Sequence, residues 1–200
     1  MKPTKDRILA AAVQEFSQNG FGGARIERIA AAADANLRML YHYFGNKEQL
    51  YLASLEAAYS HVREAEAKLR LDELAPEAGV TRLAEFTFDY FSGHPEFVGL
   101  LISENLVGGR HVQRSSLVPE TAAPLIVSIE SLLARGARAG VFRGGIDAVQ
   151  FFITLHSLCY LHVANRHTLS SMLQRDLSDP TWLAERRAHV TEVLLRYLRA

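Results

Sequence analysis

The sequence predicts an all-α protein with two helical domains, and three observations carry that prediction. Apolar residues recur at helical spacing along most of the 200-residue chain. Glycine, proline and asparagine residues separate the helical segments. No segment shows the two-residue alternation that is typical of a half-buried strand. A chain of this length can form one or two small domains, each with a hydrophobic core.

The first segment predicts a helix that begins at Thr4 and ends near Gly20. Thr4 can cap the N-terminus of this helix, and the glycines within residues 20–23 indicate a turn. The buried stripe would consist of Ile8, Leu9, Ala12, Val13 and Phe16. Three cations near the start of the helix can reach a phosphate, namely Lys2, Lys5 and Arg7.

Residues 26–45 predict two short helices around a tight turn. The first of them has one apolar face, formed by Ile26, Ile29, Ala30 and Ala33. The polar residues Asp34 and Asn36 then break the pattern, and Asn36 is a good N-cap for the second helix. Leu40 and Phe44 can face inward, which leaves most other side chains of the second helix exposed.

Longer helices follow these two. Asn46 predicts the start of a linking helix over residues 47–74 that can transmit motion between the domains. Further helices are predicted over residues 80–91, 95–107, 119–140, 146–165 and 180–199, with a polar loop over 109–118. The helix over 146–165 is apolar nearly all round, so it needs burial on more than one side. The hydrophobic core of the same chain and the surface of a second subunit would together bury this helix.

The composition limits the class of protein. The chain is 48% hydrophobic and 22% charged, which is typical of a soluble globular protein. No apolar run reaches the ~18 residues that cross a membrane, and the N-terminus lacks the apolar stretch of a signal peptide. The single cysteine, Cys159, excludes an internal disulfide. We therefore expect a cytoplasmic protein without a membrane partner.

The sequence offers little support for catalysis or metal binding. His156, Cys159 and His162 follow one another at three-residue steps, which drift around a helix and cannot easily close on a zinc ion. No pattern indicates a nucleophile paired with a base or a phosphate-binding loop. We therefore expect no catalytic residues, no metal and no cofactor.

Four elements in chain order resemble the helix-turn-helix domain of the TetR family of bacterial transcriptional regulators, over residues 4–55. The resemblance rests on Ile8 to Ala12 with Phe16, Gly20 and Phe21; on Ile29 and Ala30; on Leu40 to Phe44; and on Asn46 to Glu48 with Leu50. Three departures make the base preference unpredictable from the family. Ala24 and Arg25 stand where the family usually places Thr or Ser, and Asp34 replaces a glycine of the turn. Arg38, two residues after the N-cap, stands where the family often has Gly.

The resemblance implies a DNA-binding domain over residues 1–50, with its helix-turn-helix at about 26–45, and a helical effector-binding and dimerisation domain over 51–200. It implies a homodimeric regulator, a repressor that a small-molecule effector releases from a palindromic double-stranded DNA operator. The helix over 146–165 and the last helix would form a four-helix dimer interface.

Net charge offers DNA binding little support. The chain has a formal net charge of zero, and residues 1–50 carry seven Lys and Arg against five Asp and Glu. A domain bound by electrostatic attraction alone would be more basic. Two other hypotheses therefore stay open, a helical small-molecule-binding enzyme and a helical interaction module that does not bind DNA.

Arg38 is the first candidate for reading a base, because arginine can donate two hydrogen bonds to guanine; a phosphate contact is the alternative. By the resemblance, Tyr43 and Lys47 bind phosphates, and Lys47 lies at a helix N-terminus that favours anions. Tyr41 either packs on the first helix or touches DNA. The predicted DNA-binding residues are Arg25, Arg28, Asn36, Leu37, Arg38, Met39, Tyr41, His42, Tyr43 and Lys47.

Aromatic residues with a few polar neighbours predict an effector pocket, although a plain helical core has the same composition. The predicted pocket residues are Phe86, Tyr90, His94, Phe97, Leu101, Glu104, Asn105, Phe152 and His156. Glu104 and Asn105 lie on an otherwise apolar helix. They either fix the orientation of an effector or bond the loop at Arg110 and His111.

Overall fold

The computed structural model describes residues 3–200, and within them every regular element is helical. Lys2, one of the cations expected near a phosphate, lies outside the described residues. The ten α-helices are α1 (Thr4–Gly23), α2 (Ile26–Ala32), α3 (Leu37–Phe44), α4 (Lys47–Ala67), α5 (Pro76–Gly93), α6 (Pro95–Leu106), α7 (Leu117–Arg138), α8 (Ala148–Ala164), α9 (Arg166–Leu173) and α10 (Pro180–Leu198). The predicted all-α class is confirmed.

The helices differ from the prediction at several places, and α5 begins at Pro76 and not near residue 80. α1 continues through residues 20–23 with a kink at Gly20, whose φ is 63°. α4 ends at Ala67 and not near residue 74, because Arg70 adopts a left-handed conformation before a short 3₁₀ turn at Leu71–Glu73. α9 was not predicted as a helix. It spans eight residues and buries none of them, although Leu169, Met172 and Leu173 lie at helical spacing.

The described chain divides into two compact units. Among the described residues, the first unit comprises residues 3–62 and 94–121, and the second comprises residues 63–93 and 122–200. Two of the three boundaries fall inside α4 and α7, and the third falls between α5 and α6. This division assigns α6 and the loop after it to the first unit, whereas the resemblance implies a second domain that includes all residues from 51 onward.

The core of the first unit lies between α1, α2, α3, the first half of α4 and α6. Its fully buried side chains include Ile8, Phe16, Ile29, Leu40, Leu50, Tyr51, Leu55 and Leu100. α1 and α6 approach closely at Gly99, where an added Cβ atom would lie 2.5 Å from the backbone oxygen of Ser17. Only glycine permits this approach, because a backbone atom cannot move aside as a flexible side chain can.

The core of the second unit lies between α5, α7, α8 and α10. Its buried side chains include Leu83, Phe88, Leu132, Phe151, Leu155 and Leu194. α7 is the one helix of the described residues that is long and apolar enough to cross a membrane. About 22% of its apolar window is buried, including Leu125, Ile129 and Leu132, and length and composition alone do not make it a membrane span.

α8 has one apolar face inside the chain and another outside it. Phe151, Leu155 and Cys159 are buried, as the prediction of a core helix requires. Val149 is 49% exposed, Ile153 52% and Leu161 56%. A single chain therefore covers only part of the apolar surface of this helix.

Candidate nucleic-acid interface

The turn between α2 and α3 is held by a side chain from α1. Asp34 occupies the left-handed region with φ 47°, which Asp tolerates better than most residues. The guanidinium of Arg7 donates to the backbone oxygen of Ala33 at 2.9 Å and to that of Asp34 at 3.0 Å. Arg7, which was expected near a phosphate, thus binds the carbonyls at the end of α2 and fixes the direction in which α3 leaves.

A carboxylate from α1 holds the other end of α2. The Glu15 side chain accepts from the backbone nitrogen of Arg25 at 2.9 Å and from Nε of Arg28 at 2.8 Å. Burial opposes ionisation of Glu15, but these hydrogen bonds and the Arg28 charge lower its pKa below the usual value. Arg28 is therefore engaged within the unit, while the side chain of Arg25 is exposed.

α3 is a short helix whose inner face is fully used. Leu40 and Phe44 are buried. The Asn36 side chain accepts from the backbone nitrogen of Met39 at 2.9 Å, so the predicted N-cap forms. The helix start is thereby fixed before any DNA arrives.

The outer surface of α3 carries most of the predicted DNA-binding residues. The exposed side chains are Leu37, Arg38, Tyr41, His42 and Tyr43, and Met39 is half-buried. Tyr41 is 47% exposed, so its ring is accessible. The rings of His42 and Tyr43 meet edge to face, with their centroids 5.4 Å apart. A cation, an imidazole and two phenols on one short helix can donate to phosphates and to base edges.

Lys47 begins α4, and its ammonium lies 5.0 Å from the centroid of the Phe21 ring. The side chain is half-buried. Contact with an aromatic ring orients the ammonium without neutralising its charge. Lys47 can therefore still attract a phosphate.

The predicted pocket residues are divided between the two units. Phe86, Tyr90, Phe152 and His156 belong to the second unit, and His94, Phe97, Leu101, Glu104 and Asn105 belong to the first. In the second unit the ring centroids of Phe152 and His156 lie 3.8 Å apart, and those of Phe86 and Tyr90 lie 5.7 Å apart. In the first unit Phe97 is buried against Tyr59, at 5.6 Å.

Glu104 bonds the loop after α6, which was one of the two alternatives from the sequence. Its carboxylate accepts from the backbone nitrogens of His111 at 2.7 Å and Val112 at 3.0 Å, and contacts Nδ1 of His111 at 2.9 Å. Burial opposes ionisation, but the donors of Val112 and His111 lower the pKa of Glu104 below its usual value. Asn105 is exposed, and its amide donates to the backbone oxygen of Leu101 at 2.8 Å.

The second unit contains buried polar groups that the sequence analysis missed. Arg63 and Glu66 form an ion pair whose side chains are only 12% and 4% exposed. Burial raises the pKa of Glu66 to about 7, against the influence of Arg63. Both residues lie on a helix rich in charge, where a sequence pattern predicts a solvated face. One signal could have found Glu66, since its helical spacing with Leu55, Val62 and Leu69 places it on the buried face of α4.

The histidines of α8 hold no metal cluster. No three His, Cys, Asp or Glu side chains converge as metal ligands anywhere in residues 3–200. Nδ1 of His156 instead contacts the backbone oxygen of Phe152 at 2.9 Å. Burial lowers the pKa of His156 to about 4. The imidazole is thus neutral at physiological pH.

Comparison with known proteins finds matches over both parts of the chain. Residues 8–54 match the bacterial regulatory proteins of the tetR family, and residues 76–194 match the tetracyclin repressor-like C-terminal domain. The chain is 41% identical over 196 residues to the HTH-type transcriptional repressor NicS of Pseudomonas putida. That alignment covers 98% of this chain and 92% of NicS.

Solved structures share the fold over nearly the whole chain. The transcriptional regulator SCO4942 of Streptomyces coelicolor aligns with a TM-score of 0.73 and 24% identity, over 98% of both chains. FadR of Bacillus subtilis, solved in complex with stearoyl-CoA, aligns with a TM-score of 0.67 and 18% identity. This second alignment covers 97% of this chain and 99% of FadR. At these identities the likeness shows the fold alone.

Proposed function

The chain belongs to the TetR family of bacterial regulatory proteins, and from this premise we propose that it is a homodimeric repressor which a small-molecule effector releases from a palindromic operator. The family assignment makes it a DNA-binding transcriptional regulator and not an enzyme. Repression is supported by the 41% identity to the repressor NicS over almost the whole chain. Such a regulator acts where the bacterial chromosome lies, in the cytoplasm.

The single observation that carries DNA recognition is the outer surface of α3. Its inner residues Leu40 and Phe44 are buried and its start is capped, so the remaining side chains face solvent in a fixed arrangement. We assign base reading to Arg38 and phosphate binding to Tyr43 and Lys47. The supporting contacts would come from Arg25, Arg28, Asn36, Leu37, Met39, Tyr41 and His42.

A gel-shift experiment with the DNA upstream of the protein's own gene tests operator binding. Arg38→Ala should weaken binding by about 1–3 kcal/mol and relax the preference at one position of each half-site. Lys47→Ala should weaken binding to all DNA sequences about equally and make the DNA affinity less dependent on salt concentration. Arg82→Ala, at an exposed position of α5, removes the same charge elsewhere and should leave binding unchanged. Equal, sequence-independent losses at Arg38 and Lys47 would make Arg38 a phosphate contact.

The exposed apolar face of α8 supports the homodimer. Val149, Ile153 and Leu161 are about half exposed in one chain, and Tyr197 of α10 is 42% exposed. Burying such a face against a second copy removes apolar area from water. The two reading helices of the dimer would then meet half-sites roughly 34–36 Å apart.

Sedimentation velocity at micromolar concentration tests the dimer. The wild-type chain should sediment as a dimer, and Ile153→Glu should sediment as a monomer, because the substitution places a charge in the interface. Leu106→Glu is the matched control, since Leu106 is 81% exposed in the first unit. A monomeric wild-type protein would disprove the proposal.

Release by an effector is the third part of the proposal. Four of the predicted pocket residues lie in the second unit, within the region that matches the repressor-like C-terminal domain. α4 contributes residues to both units, so a change in the second unit can be passed along it. The solved structure of FadR holds stearoyl-CoA, which is a property of that protein. All nine predicted pocket residues stay predictions.

Calorimetry of a candidate effector with and without operator DNA tests induction. To move the population from 1:99 to 99:1, the effector must prefer the DNA-free form about 10⁴-fold, or ~5.5 kcal/mol. Linkage then requires that operator DNA weaken effector binding by the same factor. Equal affinities in the two titrations would exclude induction by that compound.

A further inference from the structure

The loop after α6, residues 107–116, carries two arginines and no acidic residue. Arg110 and Arg114 are both exposed. The loop belongs to the first unit, together with the helix-turn-helix. Residues 1–50 have only a small excess of basic over acidic side chains, which is little charge for binding DNA by electrostatic attraction. The tertiary structure thus adds two cations, from a segment distant in the chain, to the unit that presents α3.

Hydrogen bonds at both ends hold this loop in one conformation. Near its start, the backbone nitrogens of His111 and Val112 donate to the carboxylate of Glu104. Near its end, the hydroxyl of Ser115 donates to the carboxylate of Glu56 on α4 at 2.6 Å. A cation on such a loop is already positioned, so binding a partner costs less ordering of the chain than it would on a free loop.

The loop meets the start of α4 through an aromatic cluster. The ring centroid of His111 lies 4.7 Å from that of Phe21 on α1 and 4.8 Å from that of Tyr51 on α4. The preceding residue, Arg110, has its guanidinium carbon 5.6 Å from the Phe21 ring centroid. The ammonium of Lys47 lies 5.0 Å from the same centroid. The two positive groups therefore lie beside one aromatic ring.

Both cations keep their charge available to a partner. Neither Lys47 nor Arg110 forms an ion pair with an acidic side chain of residues 3–200. The acid that follows Lys47 in the chain is Glu48, and its carboxylate lies 3.5 Å from Arg114, which offsets its charge. Glu15, which the charge of Lys47 also reaches, accepts hydrogen bonds at the start of α2. Contact with an aromatic ring does not neutralise a cation.

We propose that Arg110 is a further phosphate-binding group of this regulator, so that the loop after α6 contacts the operator backbone beside Lys47. The proposal rests on the proposed function, in which Lys47 binds a phosphate. Each strand of DNA carries one phosphate per about 3.4 Å of helix axis, so two cations on one ring can contact neighbouring phosphates. A guanidinium can donate two hydrogen bonds to a phosphate. Because phosphates carry no sequence information, Arg110 adds affinity without adding base preference.

The test measures DNA affinity by fluorescence anisotropy at several salt concentrations. The probes are two labelled duplexes of equal length, one from the DNA upstream of the protein's own gene and one with that sequence scrambled. Arg110→Met keeps an apolar stem for contact with Phe21 and removes the charge. A dimer of this variant loses two phosphate contacts, so its loss of affinity should be about 10-fold larger at 50 mM than at 200 mM salt. The loss should be the same on both duplexes.

Two further variants serve as controls. Arg110→Lys keeps the positive charge and should keep the salt dependence of the wild type. Arg82→Met makes the same change in net charge at an exposed position of α5 and should leave the affinity for both duplexes unchanged. Urea denaturation reports whether Arg110→Met folds, and Arg110→Gln replaces it if it does not.

The outcomes separate this proposal from the proposed function. If Arg110→Met has the affinity and salt dependence of the wild type, the phosphate contact is disproved and the repressor proposal is untouched. A loss confined to the upstream duplex also disproves the contact, since a phosphate contact is independent of sequence. If the wild type binds both duplexes equally and Arg110→Met weakens both, the contact stands and the repressor proposal fails. A wild-type chain that binds neither duplex at 50 mM salt disproves both.

Discussion

The two units treat their buried polar groups differently. In the first unit each buried polar side chain has hydrogen-bond partners, as Glu104 has three donors from the loop after α6 and Ser103 contacts both Tyr51 and the backbone of Phe21. All seven buried side-chain nitrogen and oxygen atoms without a hydrogen-bond partner in residues 3–200 lie in the second unit. They belong to Arg63, Glu66, Ser92, Arg135 and His162.

This difference corresponds to two tasks. A unit that presents α3 to DNA needs one fixed shape, and fully bonded polar networks specify such a shape. Arg7 and Glu15 from α1 add to this rigidity, because their side chains hydrogen-bond to the two ends of α2. A unit that must bind a ligand and move benefits from polar groups whose bonds are completed only by that ligand. We therefore expect substitutions at buried polar positions to destabilise the first unit more than the second.

The largest expected effect is at Glu104. Glu104→Ala removes an acceptor of three hydrogen bonds and leaves His111 and the amide of Val112 without their partner. We expect a loss of about 3–5 kcal/mol in the free energy of unfolding, measured by urea denaturation. Asn105→Ala, which removes an exposed amide one residue further on, should cost no more than about 0.5 kcal/mol. Similar losses for the two variants would contradict the role of the network.

The second effect tests how rigid the first unit is. Gly99→Ala places a Cβ atom 2.5 Å from the backbone oxygen of Ser17, so α1 and α6 must separate. We expect a destabilisation of about 1–3 kcal/mol in thermal unfolding. Gly93→Ala is the control, because nothing lies within 4 Å of its added Cβ. If Gly99→Ala melts like the control, the contact between the two helices adjusts easily.

The third effect compares equivalent caps in the two units. Asn36 caps α3 and Asp179 caps α10, each through a hydrogen bond of 2.9 Å. Replacing either residue by alanine should cost about 1 kcal/mol of stability. Only Asn36→Ala should also weaken operator binding in a gel shift, since it loosens the start of the reading helix. Equal operator affinities for both variants would show that the cap does not position α3.

The smallest effect on stability is expected at His162, where the substitution should stabilise the protein and not destabilise it. The imidazole stacks on Phe88 with centroids 4.9 Å apart, and neither ring nitrogen has a hydrogen-bond partner. Replacing a buried polar group by an apolar one of similar shape is nearly neutral or stabilising. His162→Phe should therefore raise the melting temperature slightly at pH 7.5, whereas a buried histidine that makes needed hydrogen bonds would lower it.

The same variant has a pH dependence. Burial, with the charge of Arg186, lowers the pKa of His162 from 6.5 to about 4. Between these values the unfolded chain binds the proton more readily, so the contribution of His162 to stability is present above pH 6.5 and lost as the pH falls towards 4. The advantage of His162→Phe over the wild type should thus increase between pH 7.5 and pH 5. His167→Phe, at an exposed position of α9, should show no such increase.

The helix-turn-helix formed by α2 and α3 is the region whose structure the sequence predicts best. Asn36 as a cap, Leu40 and Phe44 as inner residues and the helices around them follow from local spacing, and the structure has each of them. The all-α class and the family were also predictable, because helical periodicity and a motif in fixed chain order are local properties. α9 was missed because it spans only eight residues, so Leu169, Met172 and Leu173 supply little more than one turn of helical spacing.

The sequence by itself determined the fold class, the family and the exposed surface of α3. Only the tertiary structure decided which charged residues are buried. Glu104 was recognisable as an acid on an apolar helix. Only the structure shows that its carboxylate binds the loop at His111, seven residues further along the chain. Glu66 shares the apolar face of Val62 and Leu69 in sequence, but its ion pair with a largely covered Arg63 depends on the packing of α4 in the second unit. Such packing joins segments that are distant in the chain, so local spacing indicates a buried face but not the partners that meet there.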